Sequence, residues 1–302
     1  MENNNLHQKP SLIQTISAVL TAGVMWGSGN VIIRSLLIEG LNEIFLVTAR
    51  VLIIGTLLFS YYIIFNKDKF DKNLLKEASL TGLASIFFVS WAFIFALQYI
   101  SSGLVTLLIS SAPIFTAMWV KLILKEEKIS KLKYLSVVVG FSGIAYLFIS
   151  QETGLLNQGN IFLGGSLAFI GVQCIALATV LNRKYAPRYK VNSWLTFQYP
   201  LVIILTLLTF FISDVGIDVL NLSQLLRLIA LVVCNLGAFL SFTWLIQRVS
   251  ALQVASIDYL VPVIGVSAGV LFLGETFNRN ILISSLFIFA SLLLTTKDEF
   301  SN

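Results

Sequence analysis

The chain repeats itself across its midpoint, and nothing else in it narrows the possible folds as far. Pro113 and Pro262 each stand in an apolar stretch, 149 positions apart. At the same offset Gln98 matches Gln247, Ser101 matches Ser250, Leu46 matches Leu195 and Arg34 matches Arg183. With 302 residues each half is one copy, and the expected division is 1–150 and 151–302. Each copy reads as five membrane helices. Five is odd, so the second copy enters the bilayer from the opposite side. The expected fold is all-α and integral to the membrane: ten transmembrane helices as two inverted five-helix repeats. Inverted repeats of this kind build secondary transporters, in which one half moves against the other around a midplane site. Transport by alternating access is therefore the leading expectation.

Composition sets the solvent. Hydrophobic residues make up 57% of the chain and charged residues 12%, about half the charged share of a soluble domain. A water-soluble protein of this size could not hide that much apolar surface. A span needs about 20 apolar residues, and the pattern predicts spans near 13–34, 43–65, 75–96, 102–121, 131–150, 159–181, 192–213, 224–244, 252–272 and 280–296. These are helices, because a helix satisfies its own backbone hydrogen bonds in hydrocarbon. The apolar run after Lys9 is too long for a signal core and reads as a retained first helix.

Charge placement sets the orientation. With the N-terminus inside, sixteen of the twenty basic residues fall on inner loops and tails. The richest loops hold Lys67, Lys69, Lys72 and Lys76; then Lys121, Lys125, Lys128, Lys131 and Lys133; then Arg183, Lys184, Arg188 and Lys190. Outer ends hold only Arg34, Arg227 and Arg279. Cytoplasmic loops retain Lys and Arg, so both termini are expected inside, in a bacterial inner membrane. The basic residues are scattered over short loops, which speaks against a nucleic-acid face.

The inventory excludes most enzyme chemistry. His7 is the only histidine and lies in the N-terminal tail with Asn3 to Asn5. No metal-binding helix motif and no phosphate-binding loop occur. Cys174 and Cys234 fall inside spans and read as small apolar residues. No cofactor is expected. The expected partners are a small-molecule substrate, the lipid bilayer and coupling protons, in a monomer or homodimer.

Two charges lie well inside spans. Arg50 sits seven residues into the second span and Asp258 about as far into the ninth, each about 10 Å deep. Charge at that depth is costly and faces a cavity or a partner. Arg50 suits an anionic group such as a carboxylate, held by paired hydrogen bonds. Snorkelling to the outer headgroups beside Glu43 is the structural alternative. Asp258 suits a substrate amine or a coupling proton, or else a capped structural acid. Depth groups further polar and aromatic candidates with them. Trp26, Ser28, Asn30, Thr106 and Ser110 approach the level of Arg50; Gln198 and Tyr199 share that of Asp258 and Tyr259; Trp91, Gln173 and Trp244 are placed to line the same space. Aromatics beside a few polar groups suit an amphipathic small molecule. Pro113 and Pro262, near the middle of spans four and nine, free the carbonyls of Ile109 and Asp258 and are candidate gating hinges. Gly23 with Gly27, and Gly265 with Gly269, have the four-residue spacing that lets helices approach closely.

Several of these stretches resemble the drug/metabolite transporter superfamily, in its ten-helix EamA-type branch. Trp26-Gly27-Ser28-Gly29-Asn30 is similar to that family's first-helix signature, and Arg50 falls at its usual second-helix arginine. Tyr259-Leu260-Val261-Pro262 followed by Leu273-Gly274-Glu275 is similar to its ninth-helix ending. Pro113 followed by Lys125-Glu126-Glu127 is the degenerate counterpart in the first half, with a one-residue slip. The resemblance covers nearly the whole chain. It implies two inverted repeats around a central cavity, and secondary transport of amino acids, related metabolites or drug-like compounds. Asp258 departs from the pattern, which has a small or apolar residue there, and this marks it as a candidate specificity or coupling residue. A broad drug exporter is the alternative within transport. A non-transporting membrane scaffold is the alternative of another class, although the loops are short for a binding face.

Overall fold

The computed structural model describes residues 10–65, 71–123, 131–156, 159–249, 254 and 257–301. His7, Lys9, Lys67, Lys69, Lys125, Glu126, Glu127, Lys128 and Ser250 lie outside the described residues, as do the side chains of Lys131, Lys133, Asp258 and Lys297. Every regular element among the described residues is helical. In chain order these are α1 (Leu12–Ile38), α2 (Glu43–Phe65), α3 (Lys72–Gly82), a π-helical turn (Leu83–Phe88), α4 (Val89–Tyr99), α5 (Ser102–Ile109), α6 (Ala112–Ile123), α7 (Lys131–Ser150), α8 (Ile161–Tyr185), a 3₁₀ turn (Ala186–Arg188), α9 (Val191–Ile212), α10 (Leu222–Ile246), α11 (Ile257–Leu273) and α12 (Arg279–Ser301). Among the described residues, seven stretches are long and apolar enough to cross a membrane, with three shorter apolar helices at Tyr134–Ser150, Tyr259–Leu273 and Arg279–Ser291.

Local chemistry explains where the helices start. Ser11 and Gln14 form a reciprocal cap at α1, and Asn221 with Gln224 does the same at α10. Asp71, Ser101 and Asn160 cap α3, α5 and α8 through their side-chain oxygens. Each supplies an acceptor for an amide that has no partner within the helix.

The third and fourth spans are not continuous α-helices, which the apolar pattern did not reveal. In the third, the π turn separates α3 from α4 and packs on α8 and α9. Gly82, just before it, lies so close to α9 that a Cβ would overlap the Gln198 carbonyl. In the fourth, the helix breaks at Ser110 and Ser111. Their hydroxyls fold back onto the carbonyls of Leu107 and Leu108, each at 2.6 Å. Pro113 therefore stands at the second residue of α6, not within a continuous helix as its sequence position suggested. Pro262 does lie inside its helix, so the two prolines occupy different local structures. Pro200 is a further proline inside a helix, in α9.

The helices exchange partners across the midpoint of the sequence. α1 packs on α10 and α11; correspondingly, α8 packs on α4 and on α5 and α6. α2 pairs with α9, α5 with α11 and α7 with α12. Gly23 and Gly27 face Leu260 and Ile264 of α11, while Gly265 and Gly269 face Thr106 and Ser102 of α5. The α7–α12 pair is bonded by hydroxyls to backbone: Ser284 Oγ donates to the Gly143 carbonyl at 3.1 Å, and Ser291 Oγ to that of Ser136 at 2.7 Å. The main core joins residues of both halves, from Leu36 and Leu97 to Tyr199 and Ile288. Large apolar side chains such as Ile63, Phe211, Leu271 and Phe272 stay exposed on the outside, where lipid is their solvent.

Candidate functional site

Arg50 is the side chain around which a site can be built. It is 8% exposed, yet among the described residues it has no carboxylate and no hydrogen-bond acceptor. It interacts electrostatically with the Tyr199 hydroxyl across the α2–α9 contact. Tyr199 is 2% exposed and packs in the main core. Trp91 of α4 packs against that core, its indole offset-stacked on Phe95 at 5.8 Å and edge-on to Phe87 at 6.1 Å. Its Nε1–H is sealed from solvent and has no partner among the described residues. Arginine and indole are donors only. The Arg50 guanidinium, with no described acid beside it, is complemented by an acceptor, and a carboxylate supplies one with charge.

The other candidates are distributed differently from what depth alone suggested. Gln198, next to Tyr199 in sequence, accepts a hydrogen bond from Ser85 Oγ at 2.8 Å, at the π turn. Gln173 accepts from Trp119 Nε1 at 3.3 Å. The Ser110 hydroxyl is spent on Leu107, and that of Thr106 on Ser102 and Gly103. Trp26 lies against Phe239 and Phe242 of α10, in a second core that also contacts Trp244. Ile109 touches both cores. Trp244 carries the Arg248 guanidinium over its ring at 5.0 Å. Ser28 lines a separate cleft between α1, α10 and α11. Asn30 is half-buried in α1, and Tyr259 is half-buried in α11 beside Asp258.

Sequence reasoning missed a second polar centre. Glu275 is 7% exposed and accepts from Ser102 N at 2.7 Å, Ser102 Oγ at 2.8 Å and Gly103 N at 3.0 Å. It thereby joins the loop after α11 to the start of α5, across the two halves. The guanidinium of Arg34 faces this carboxylate electrostatically and donates to the Leu97 carbonyl, while its Nε has no partner. Glu275 had stood in the sequence only as part of the ninth-helix ending, after an apolar helix and a single glycine, Gly274, which takes φ +64° and turns the chain back.

At the opposite end of the bundle, Glu77 of α3 pairs with Arg188 at 2.9 Å and accepts from the Tyr189 hydroxyl at 2.9 Å. Burial and the Glu77 carboxylate push the Tyr189 hydroxyl up to about 12, so it remains a donor at any physiological pH. Gln247 Nε2 donates to the carbonyls of Ala186 and Tyr189. Each end of the bundle is thus tied by its own polar contacts, and Arg50 lies between them. Among the described residues no cluster of acids, histidines or cysteines suits a metal ion.

Comparison with known proteins agrees with this architecture. The model of the EamA-like transporter family matches the chain twice, over residues 13–149 and 162–297. An uncharacterized transporter of Clostridium kluyveri is 26% identical over 239 residues, covering 74% of this chain and 72% of that protein. A solved structure titled only as the crystal structure of a protein superposes with a TM-score of 0.65 at 16% identity, covering 94% of this chain and 96% of that one. At that identity the likeness concerns the fold.

Proposed function

Because this chain belongs to the EamA-like transporter family, a multi-pass membrane transporter of small molecules rather than an enzyme, we propose that it is a secondary active carrier of amino acids or closely related metabolites. The seven long spans and three shorter apolar helices are read as ten crossings, in two inverted five-helix repeats, with both termini in the cytoplasm of a bacterium. The positive-inside bias supports that orientation.

The observation that carries the substrate reading is Arg50: buried, unpaired among the described residues, and in electrostatic interaction with Tyr199. A buried charge without a partner is costly, and a substrate carboxylate is the natural complement. Arg50 holds the anionic end, Tyr199 and Trp91 add neutral donors, and the aromatic rings of Phe87, Trp91 and Phe95 supply an apolar wall. Asp258, one residue before Tyr259 on α11, takes the amine or a coupling proton. Pro113 and Pro262 flank the moving segments. The contacts across the halves, at Glu275 on one side and at Glu77 on the other, are what alternating access would break in turn.

The test is counterflow of labelled amino acids in liposomes containing the purified protein, with and without a proton gradient. Saturable counterflow of one or a few amino acids is expected, with Arg50→Ala and Asp258→Asn cutting flux while folded protein remains in the bilayer. Wild-type flux in both variants would overturn the site. Flux of toxic hydrophobic compounds alone would favour the drug exporter, and no flux at all would favour a scaffold.

A further inference from the structure

The cleft that takes Ser28 away from Arg50 has features of its own. It encloses about 450 Å³ between α1, α10 and α11. Its polar side runs along one stripe of α1, through Ser28, Ser35 and Glu39, which recur at helical spacing. Eleven residues at 1.5 Å each make that stripe about 16 Å long. At its upper end Arg227 of α10 binds Glu39 at 2.5 Å and donates to Ser35 Oγ at 3.2 Å. The facing wall is apolar, built by Ala268, Phe272 and Leu273 of α11. Ile38 and Phe272 line the cleft and are also exposed on the outside of the bundle, so it opens sideways, toward the bilayer.

The charged pair sits where α1 ends and within the first turns of α10, which is headgroup level for spans of this length. Below it lies an apolar trough running into the hydrocarbon layer. We infer that the α1–α10–α11 cleft binds one phospholipid with a zwitterionic primary-amine headgroup, its phosphate on Arg227, its ammonium on Glu39 and an acyl chain along Ala268 and Phe272. Arginine matches phosphate geometry with two parallel donors, and Glu39 is an acceptor only. An anionic headgroup would meet Glu39 without a compensating amine. A quaternary headgroup would have no N–H to give. The lipid would lie along the seam where Gly27 of α1 meets Ile264 of α11, a contact any movement between these helices must alter. This inference rests on the membrane-spanning fold and not on the identity of the substrate.

The test offers the purified, delipidated protein phosphatidylethanolamine or phosphatidylglycerol in nanodiscs and counts retained lipid by native mass spectrometry. The wild type should retain the amine lipid about tenfold better, equivalent to about 1.4 kcal/mol. Arg227→Gln with Glu39→Gln should erase that preference while leaving the fold intact, since Glu39 is exposed, Arg227 is only half-buried, and glutamine keeps the shape of the carboxylate. Ala268→Phe, which fills the trough, should abolish retention of either lipid. Equal retention of both lipids by the wild type, or undiminished retention in Ala268→Phe, overturns the inference. Displacement of the lipid by free amino acids also overturns it, and reassigns the cleft as an outer substrate site. Counterflow is read separately, so failure here and failure of the transport reading are distinguishable.

Discussion

Arg50 and Glu275 are both buried ionised side chains, and their surroundings give them opposite roles. Glu275 has three donors, two of them backbone amides, and is a finished structural contact. Arg50 has no described acceptor and is a contact waiting to be made. Glu275→Gln should therefore act on stability: it keeps the shape but removes the charge from the shared hydrogen bonds. A loss of about 2 kcal/mol is expected, read as a lower melting temperature in detergent. Arg50→Ala should leave the melting temperature unchanged or raise it, since an uncompensated buried charge is removed, while flux falls. Arg50→Lys should restore flux only in part, because an ammonium lacks the planar fork. The Glu39 carboxyl is held below its usual range by its hydrogen bond from Arg227. A group lowered in this way keeps its pairing above its own value and loses it only as pH falls through that value. Retention of the amine lipid should accordingly stay constant from neutral pH down to about 5 and fall in stronger acid.

At the scale of elements, the discontinuities matter more than the spans. The π turn at Leu83–Phe88 is flanked by a close approach of α3 to α9, at Gly82. Gly82→Ala should destabilise the protein or disrupt this crossing, because its Cβ meets backbone and not a movable side chain. Gly216→Ala, in open space, is the control and should melt as the wild type does. The amphipathic pattern cannot reveal a π turn, because one extra residue per turn leaves an all-apolar segment still all-apolar. The break at Ser110 and Ser111 was half legible. Pro113 announces a lost amide, but the chain breaks upstream of it, where the two serine hydroxyls fold back onto the carbonyls of Leu107 and Leu108. Helix caps were legible in principle, since Ser11, Asp71, Asn160 and Asn221 precede apolar runs, and Asn221→Ala should cost about 1 kcal/mol, measured as a shift in melting temperature.

At the scale of the molecule, the two halves are not independent bodies. Ser85 bonds Gln198, Ser102 bonds Glu275 and Ser284 bonds Gly143, all across the midpoint. A chain cut between α7 and α8 should recover folded, transport-competent protein only when both fragments are made together; activity from either fragment alone would show that a half suffices. A periplasm-active reporter fused after Asn302 should be silent if the C-terminus is cytoplasmic, and strong activity would reverse the assigned orientation.

The amino-acid sequence by itself determined that this chain lives in lipid, which stretches are helical, that its two halves are related and which family it belongs to. Those properties are written in composition, in the length of apolar runs and in the 149-residue offset, all of which are one-dimensional. Only the tertiary structure decided which polar groups meet. Gln198 and Tyr199 are neighbours in the chain, yet a rotation of about 100° per residue sends one to Ser85 and the other to Arg50. Ser28 and Arg50 were grouped by depth, yet they face different spaces, because depth along a helix fixes height and leaves direction open. Glu275 and Ser102 are 173 residues apart and meet only because α5 and α11 pack against each other. In an apolar medium every helix surface is equally greasy, so packing geometry, and not hydrophobicity, chooses the partners of the few polar side chains.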